Sequence, residues 1–143
     1  MDNLTKFIIN RPAHDVFEAF VDPSKIGNFW FSSSSERWEP GKTITLEYDL
    51  YDAKLEIRIR ETEADRKIVF AWGSGEDERA VTISLHETAP AATRIEIREE
   101  GFKENDPELI PNLIDNKEGW VFMLSCLKAF LEFGVSLRGG LAK

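Results

Sequence analysis

The sequence predicts an α+β fold: a curved antiparallel sheet, two short helices after its first strand, and one long C-terminal helix against the sheet's apolar face. Three observations carry this reading. Residues 42–100 alternate apolar and polar side chains in short runs separated by turn residues, as half-buried antiparallel strands do. The stretch NKEGWVFMLSCLKAFLEFG (Asn116–Gly134) is long, apolar and free of internal proline, so it reads as a helix. Two proline-led segments between Arg11 and Trp30 show apolar residues three and four apart. A sheet with one apolar face needs a covering layer, and the long helix is the element able to provide it.

In order, LTKFIIN (Leu4–Asn10) is the first strand. In RPAHDVFEAFVD, Pro12 suits a first helical turn, whose N–H groups lack intrahelical partners, and Val16, Phe17 and Phe20 form the stripe. DPSKIGNFW repeats the arrangement, with Asp22 as N-cap, Pro23 at the first helical position, and Ile26, Phe29 and Trp30 on one face. FSSSSERWEPG reads as a loop whose serines pack nothing, ending in the turn Pro40-Gly41. Strands follow that align Ile44, Leu46, Tyr48 and Leu50; then Leu55, Ile57 and Ile59; then Ile68, Phe70 and Trp72. After the charged loop Gly73–Glu78, two more align Val81, Ile83 and Leu85, and Thr93, Ile95 and Ile97. Short links make these five or six strands an antiparallel meander with one wet face. DPELIP is a short piece interrupted by Pro111, so the final helix is expected from Asn112 or Asp115 to Gly134, with Asp115–Glu118 resembling a capping box. RGGLAK reads as a loose tail from about residue 136, and residues 1–143 as a single domain.

Composition narrows the function classes. A net charge of −8 with no Lys/Arg cluster argues against nucleic acid, because phosphate binding needs a basic footprint. No apolar run is long enough to insert in a membrane, and the N-terminus lacks a secretory h-region. The single cysteine, Cys126, has no internal disulfide partner, which fits a reducing, cytoplasmic location.

The final helix carries more apolar surface than a sheet cover requires. On a wheel of about 100° per residue, Val121, Ser125, Lys128 and Glu132 share one narrow sector, and the apolar arc spans roughly 220°. A surface helix ordinarily shows a stripe of about 100°. Either the helix is sunk in a concave sheet with loops on its flanks, or part of the arc lines a gap that holds an apolar ligand. The same residues would line a filled core and a hollow one.

The element order resembles the helix-grip fold of the START-like, Bet v 1-like superfamily. More narrowly, the chain resembles the family of the activator of heat-shock protein 90 ATPase. The matching pieces are RPAHDVFEAFVDPSKIGNFW, WEPG, FAW and GWVFMLSCLKAFLEFG, the last with Gly119, Trp120, Leu124, Leu127, Leu131, Glu132 and Gly134 in the family's closing pattern. The chain departs from that pattern in having Phe29-Trp30 where paired tryptophans are usual, the serine run Ser32–Ser35, and Pro40-Gly41 in place of Gly-Gly. The resemblance implies a cavity between long helix and sheet, and a hydrophobic small molecule (lipid, sterol, or aromatic or polyketide-like compound) as its occupant. Its lining would be Trp30, Tyr48, Ile57, Phe70, Trp72, Ile83, Trp120, Met123 and Leu127. It implies two alternatives: a chaperone cofactor acting through protein contacts, and a cyclase- or hydrolase-like enzyme on the same fold.

Residues able to do chemistry are few. His14 and His86 are expected at the surface without convergent partners, and no spacing suggests a metal site. Cys126 lies on the apolar arc, where burial silences a thiol. No phosphate-binding glycine motif points to a nucleotide, so no cofactor is expected. The carboxylates Glu47, Asp49, Glu61, Glu63, Glu99 and Glu100 are assigned to wet positions, with none forced inward, which ranks the enzyme reading last. Asp115, Asn116 and Glu118 are the polar candidates at one cavity end, with capping as their expected job. Tyr48 and Trp72 are placed to orient a ligand carbonyl or hydroxyl.

Overall fold

The computed structural model describes residues 1–142. Its strands are β1 (Asp2–Ile9), β2 (Ser33–Ser34), β3 (Thr43–Tyr48), β4 (Ala53–Glu63), β5 (Lys67–Trp72), β6 (Arg79–Ala89) and β7 (Ala92–Glu100); its helices are α1 (Ala13–Val21) and α2 (Leu109–Phe133). The strands form one antiparallel sheet in the order β1-β7-β6-β5-β4-β3-β2, so the chain belongs to the α+β helix-grip arrangement. The meander β3 to β7 joins neighbours directly, while β1 closes onto β7 from the far end of the sequence. Register shifts at Ile59/Glu61 and Glu87/Ala89 mark bulges, which bend strands and sharpen twist.

The period-2 pattern becomes burial as expected. Ile44, Leu46, Ile57, Ile59, Ile68, Phe70, Val81, Ile83, Ile95 and Ile97 are buried on one face, and α2 answers with Met123, Leu124, Cys126 and Leu127. Between them the centre of the molecule is filled. At one end α2 is tied to edge strand β1: Lys117 donates to the Leu4 carbonyl, and Lys128 Nζ to the Ile8 carbonyl at 2.7 Å. These lysines occupy edge carbonyls that would otherwise template another strand. Glu132 accepts from the Asn10 N–H at 2.8 Å and from Lys128 at 2.6 Å, fixing the helix C-terminus to the loop after β1.

Several local expectations are corrected. The second short helix is a single 3-10 turn, Ile26–Asn28; Asp22 instead forms a tight turn in which its Oδ1 accepts from the Ser24 N–H and hydroxyl. The serines are not idle. Ser33–Ser34 form β2 against β3, Ser34 Oγ accepts from Trp38 Nε1 at 3.2 Å, and Ser35 Oγ accepts from the Thr45 N–H. β3 stops at Tyr48, leaving Leu50 exposed in a turn. Helix α2 starts at Leu109, three to six residues before the expected start, because Pro111 sits in the first turn where its missing N–H costs nothing. Asp115 and Glu118 are therefore inside the helix and form no capping box. Gly134 ends α2 at φ +66°, a left-handed conformation that glycine adopts without strain.

Past Gly134, where the sequence suggested a tail, the chain folds back over α2. Arg138 donates from Nε to the Trp30 carbonyl at 2.8 Å and from Nη2 to Ser32 Oγ at 2.9 Å, and its guanidinium lies 5.3 Å from the Tyr48 ring centre. Ser32 Oγ also meets Asp49.

Candidate functional site

Two hollows lie side by side along the middle of α2, next to Trp30. The more enclosed one, about 140 Å³, is lined by Phe29, Trp30, Tyr48, Tyr51, Gly119, Phe122, Met123 and the returning segment Arg138, Gly139 and Leu141. The more open one, about 230 Å³, is lined by Trp30, Trp72, Asp115, Asn116, Gly119 and Trp120. Trp30 and Gly119 belong to both, so the two hollows adjoin at these residues. A Cβ added at Gly119 would meet nothing within 4 Å: this glycine leaves room that any side chain would take.

The sequence-expected lining residues therefore divide. Trp30, Tyr48, Trp72, Trp120 and Met123 border the hollows. Ile57, Phe70, Ile83 and Leu127 are fully buried in the filled centre and border neither. Asp115 and Asn116, the expected polar candidates, line the open hollow, and Phe29, Tyr51, Gly119, Phe122, Arg138, Gly139 and Leu141 complete the lining without having been expected there. Arg138 and Tyr51 come from the returning tail and a turn, which period-based reading does not place.

Beneath the open hollow lies a residue that the sequence reading assigned wrongly. Glu99 is fully buried, not on the wet face. Its Oε1 accepts from Asn116 Nδ2 at 2.8 Å and Trp120 Nε1 at 2.9 Å; its Oε2 accepts from Arg79 Nε at 2.7 Å and Trp72 Nε1 at 3.0 Å. Four nitrogen donors on two oxygens match the acceptor capacity of a carboxylate and offset its desolvation. Asn116 in turn accepts from Asn3 Nδ2 at 3.1 Å, extending the network to β1. With each oxygen already taking two hydrogen bonds, Glu99 holds the side chains around it in place.

The network also corrects the role given to Trp72. Its N–H is committed to Glu99, as is that of the buried Trp120, so neither is left to orient a ligand. The two indoles stack with centroids 5.6 Å apart and planes 23° apart, and Trp30 leans against both at 5.4 and 6.4 Å. Tyr48 stacks on Tyr51 at 5.1 Å, and burial pushes its phenol upward in pKa against the opposing pull of Arg138.

The other titratable candidates stand apart from the hollows. His14 and His86 are exposed, His14 Nδ1 lying 3.0 Å from Asp65. Cys126 is buried and its thiol is pushed up by desolvation, which keeps it protonated and unreactive. Among the described residues no group of three His, Cys, Asp or Glu could hold a metal ion, and no helix is long and apolar enough to cross a membrane.

The family model described as activator of Hsp90 ATPase homolog 1-like protein matches residues 10–132, which span α1, the meander and nearly all of α2. The chain belongs to that family. Among solved structures it is similar to protein SSP2350 from Staphylococcus saprophyticus, at 50% identity over 96% of both chains with a TM-score of 0.85. The fold alone is shared with more distant proteins. The Aha1 dimer from Colwellia psychrerythraea is 14% identical, with a TM-score of 0.80 over 94% of this chain and 98% of that one. DynU16, from the dynemicin biosynthetic locus, is 21% identical, with a TM-score of 0.81 over 96% of this chain and 49% of its own. No match was found among curated proteins.

Proposed function

We propose that the protein binds a hydrophobic, ring-containing small molecule in the paired hollows between Trp30, the sheet and α2. The observation that carries this is the meeting of the two hollows at Trp30 and Gly119. Ligand pockets usually measure about 300–1,000 Å³, and neither hollow alone reaches that range. Trp30 is half-buried and lines both, so a swing of its ring that joins the two makes one slot of ligand size, walled by aromatic rings with Arg138, Asp115 and Asn116 as its polar groups. Gly119 supports the same reading: glycine inside a helix costs about 1 kcal/mol relative to alanine, and this one keeps both hollows open. Affinity comes from burying apolar ligand surface at about 25 cal/mol per Å². The fold shared with DynU16, a protein of a biosynthetic locus, is compatible with a small-molecule role. Glu99 acts as scaffold, so the reading is binding and not catalysis.

The test uses 8-anilinonaphthalene-1-sulfonate as probe and Gly119→Leu as plug. Saturable dye fluorescence is expected with the natural chain. It should be lost in a Gly119→Leu variant whose folding is intact. Equal dye binding by both proteins would refute the reading.

A second reading, a chaperone cofactor acting through its surface, draws on the family and on exposed Ile110, Ile114 and Val121 along the outer face of α2. PFC0360w from Plasmodium falciparum, an HSP90 activator, has the same fold at 17% identity. Stimulation of a purified Hsp90 ATPase that Ile114→Glu abolishes and Gly119→Leu spares would favour it; an unchanged rate at saturating protein would dismiss it.

A further inference from the structure

We propose that the enclosed hollow seats a neutral carbonyl oxygen of the ligand, which accepts a hydrogen bond from the Arg138 guanidinium. This rests on the binding reading above and names the chemistry at one end of the site.

The enclosed hollow differs from its neighbour in kind. Among the described residues Arg138 is its one charged lining group, and no carboxylate lines it. The Arg138 side chain is only 17% exposed and is already fixed in place, with Nε donating to the Trp30 carbonyl and Nη2 to Ser32 Oγ. A guanidinium carries five N–H donors, and Nη1 meets no acceptor among the described residues, so the fork keeps donors to spare. Because its rotamer is held beforehand, a ligand oxygen that docks on it costs little side-chain entropy. Its charge also reaches inward: burial raises the Tyr48 phenol and the Cys126 thiol, and Arg138 pulls against both. Hydrogen bonds from an ionised donor are roughly twice as strong as those between neutral groups, which favours an acceptor oxygen at this spot in an otherwise ring-lined space. Charge balance makes that oxygen neutral. Asp49 Oδ1 already stands 3.6 Å from Nη2, and Glu47 and Asp52 line a surface hollow with it beside Tyr48. A carboxylate on the ligand would add negative charge next to these groups, in a chain whose net charge is −8. A carbonyl brings the acceptor without the charge and costs less to take out of water.

The test compares acetophenone with α-methylstyrene, in which a methylene group replaces the carbonyl oxygen. Both are titrated into ¹⁵N-labelled protein, natural and Arg138→Met, while the Arg138 Nε–H, Trp30 indole and Gly139 amide signals are followed. Arg138→Met keeps an apolar stem and removes every donor. The variant is expected to bind acetophenone about tenfold more weakly, and α-methylstyrene as tightly as the natural chain does. In the natural chain the Arg138 Nε–H signal should move with the ketone and stay in place with the alkene. Benzoate at neutral pH should bind more weakly than acetophenone. Equal changes for ketone and alkene on substitution, or benzoate binding more tightly than the ketone, would overturn the assignment. Should Arg138→Met fail to fold, the natural chain's Nε–H signal decides, and equal displacement by ketone and alkene overturns it. If the naphthalene dye still binds and responds to Gly119→Leu while the ketone shows no dependence on Arg138, only the carbonyl assignment falls. If neither the dye nor the ketone binds, both readings fall.

Discussion

Glu99 on β7 joins three other elements: Trp72 on β5, Arg79 on β6, and Asn116 and Trp120 on α2. Arg79 is about one-third exposed and can turn to water, whereas the Trp120 N–H is buried and the Trp72 N–H part-buried. Glu99→Ala should therefore destabilise the fold by about 3 kcal/mol, mostly from the stranded N–H groups, as read by denaturant titration. Glu99→Gln keeps an acceptor for some donors and should cost clearly less. Equal costs for the two would mean that lost packing, not lost acceptors, sets the penalty. Glu99 was half legible. Thr93, Ile95 and Ile97 align on the inner face, and the next residue of that period is Glu99. Residue type pointed the other way, because a glutamate is almost never fully buried unless paired. The partners that pair it come from other strands and the helix, and no local pattern announces them.

At the scale of elements, the wide apolar arc of α2 was readable and so was its purpose as a cover. Its use is divided: Met123, Leu124 and Leu127 fill the sheet's concavity, while Trp120, Gly119 and Phe122 turn toward the hollows. The start of α2 was misplaced because proline in a first turn and proline that breaks a helix look alike in sequence. The segment after α2 was read as loose because its glycines match no period, yet Arg138 binds it to Trp30, Ser32 and Tyr48. That arginine fixes one wall of the enclosed hollow. Arg138→Ala should cost about 1 kcal/mol of stability and speed both uptake and release of the naphthalene dye in stopped-flow fluorescence. Unchanged dye kinetics would show that the segment does not limit access.

For the whole molecule, the balance of carboxylates sets the pH response. Hydrogen bonding by Arg37 lowers Glu18, despite some burial. Burial pushes Glu132 upward, but the Asn10 N–H and Lys128 outweigh it, and the net direction is down. A depressed carboxyl contributes stability that is complete above its unfolded value of about 4.3 and is lost as pH falls through the folded value. Cys126 and Tyr48 are raised by burial, so they oppose the alkaline side: stability falls as pH climbs past their unfolded values of about 8.5 and 10. Denaturation midpoints should thus be flat between about pH 5.5 and 8 and fall on both sides. Glu132→Gln should lower the plateau and converge with the natural chain at acid pH; parallel curves would show that Glu132 carries no such linkage.

The shape of the site was the least legible part, because a filled centre and a hollow end use the same residues. Ile57, Phe70, Ile83 and Leu127 fill; Trp30, Tyr48, Trp72, Trp120 and Met123 border space. The most direct test of that division is to titrate ¹⁵N-labelled protein with 8-anilinonaphthalene-1-sulfonate and map the shifted signals. Saturable shifts are expected at the Trp30, Trp72 and Trp120 indoles and the Gly119 amide, with Trp38 and the outer-face residues Ile110 and Ile114 stationary. Shifts confined to that outer face, or none at all in the folded protein, would contradict a ligand site between helix and sheet.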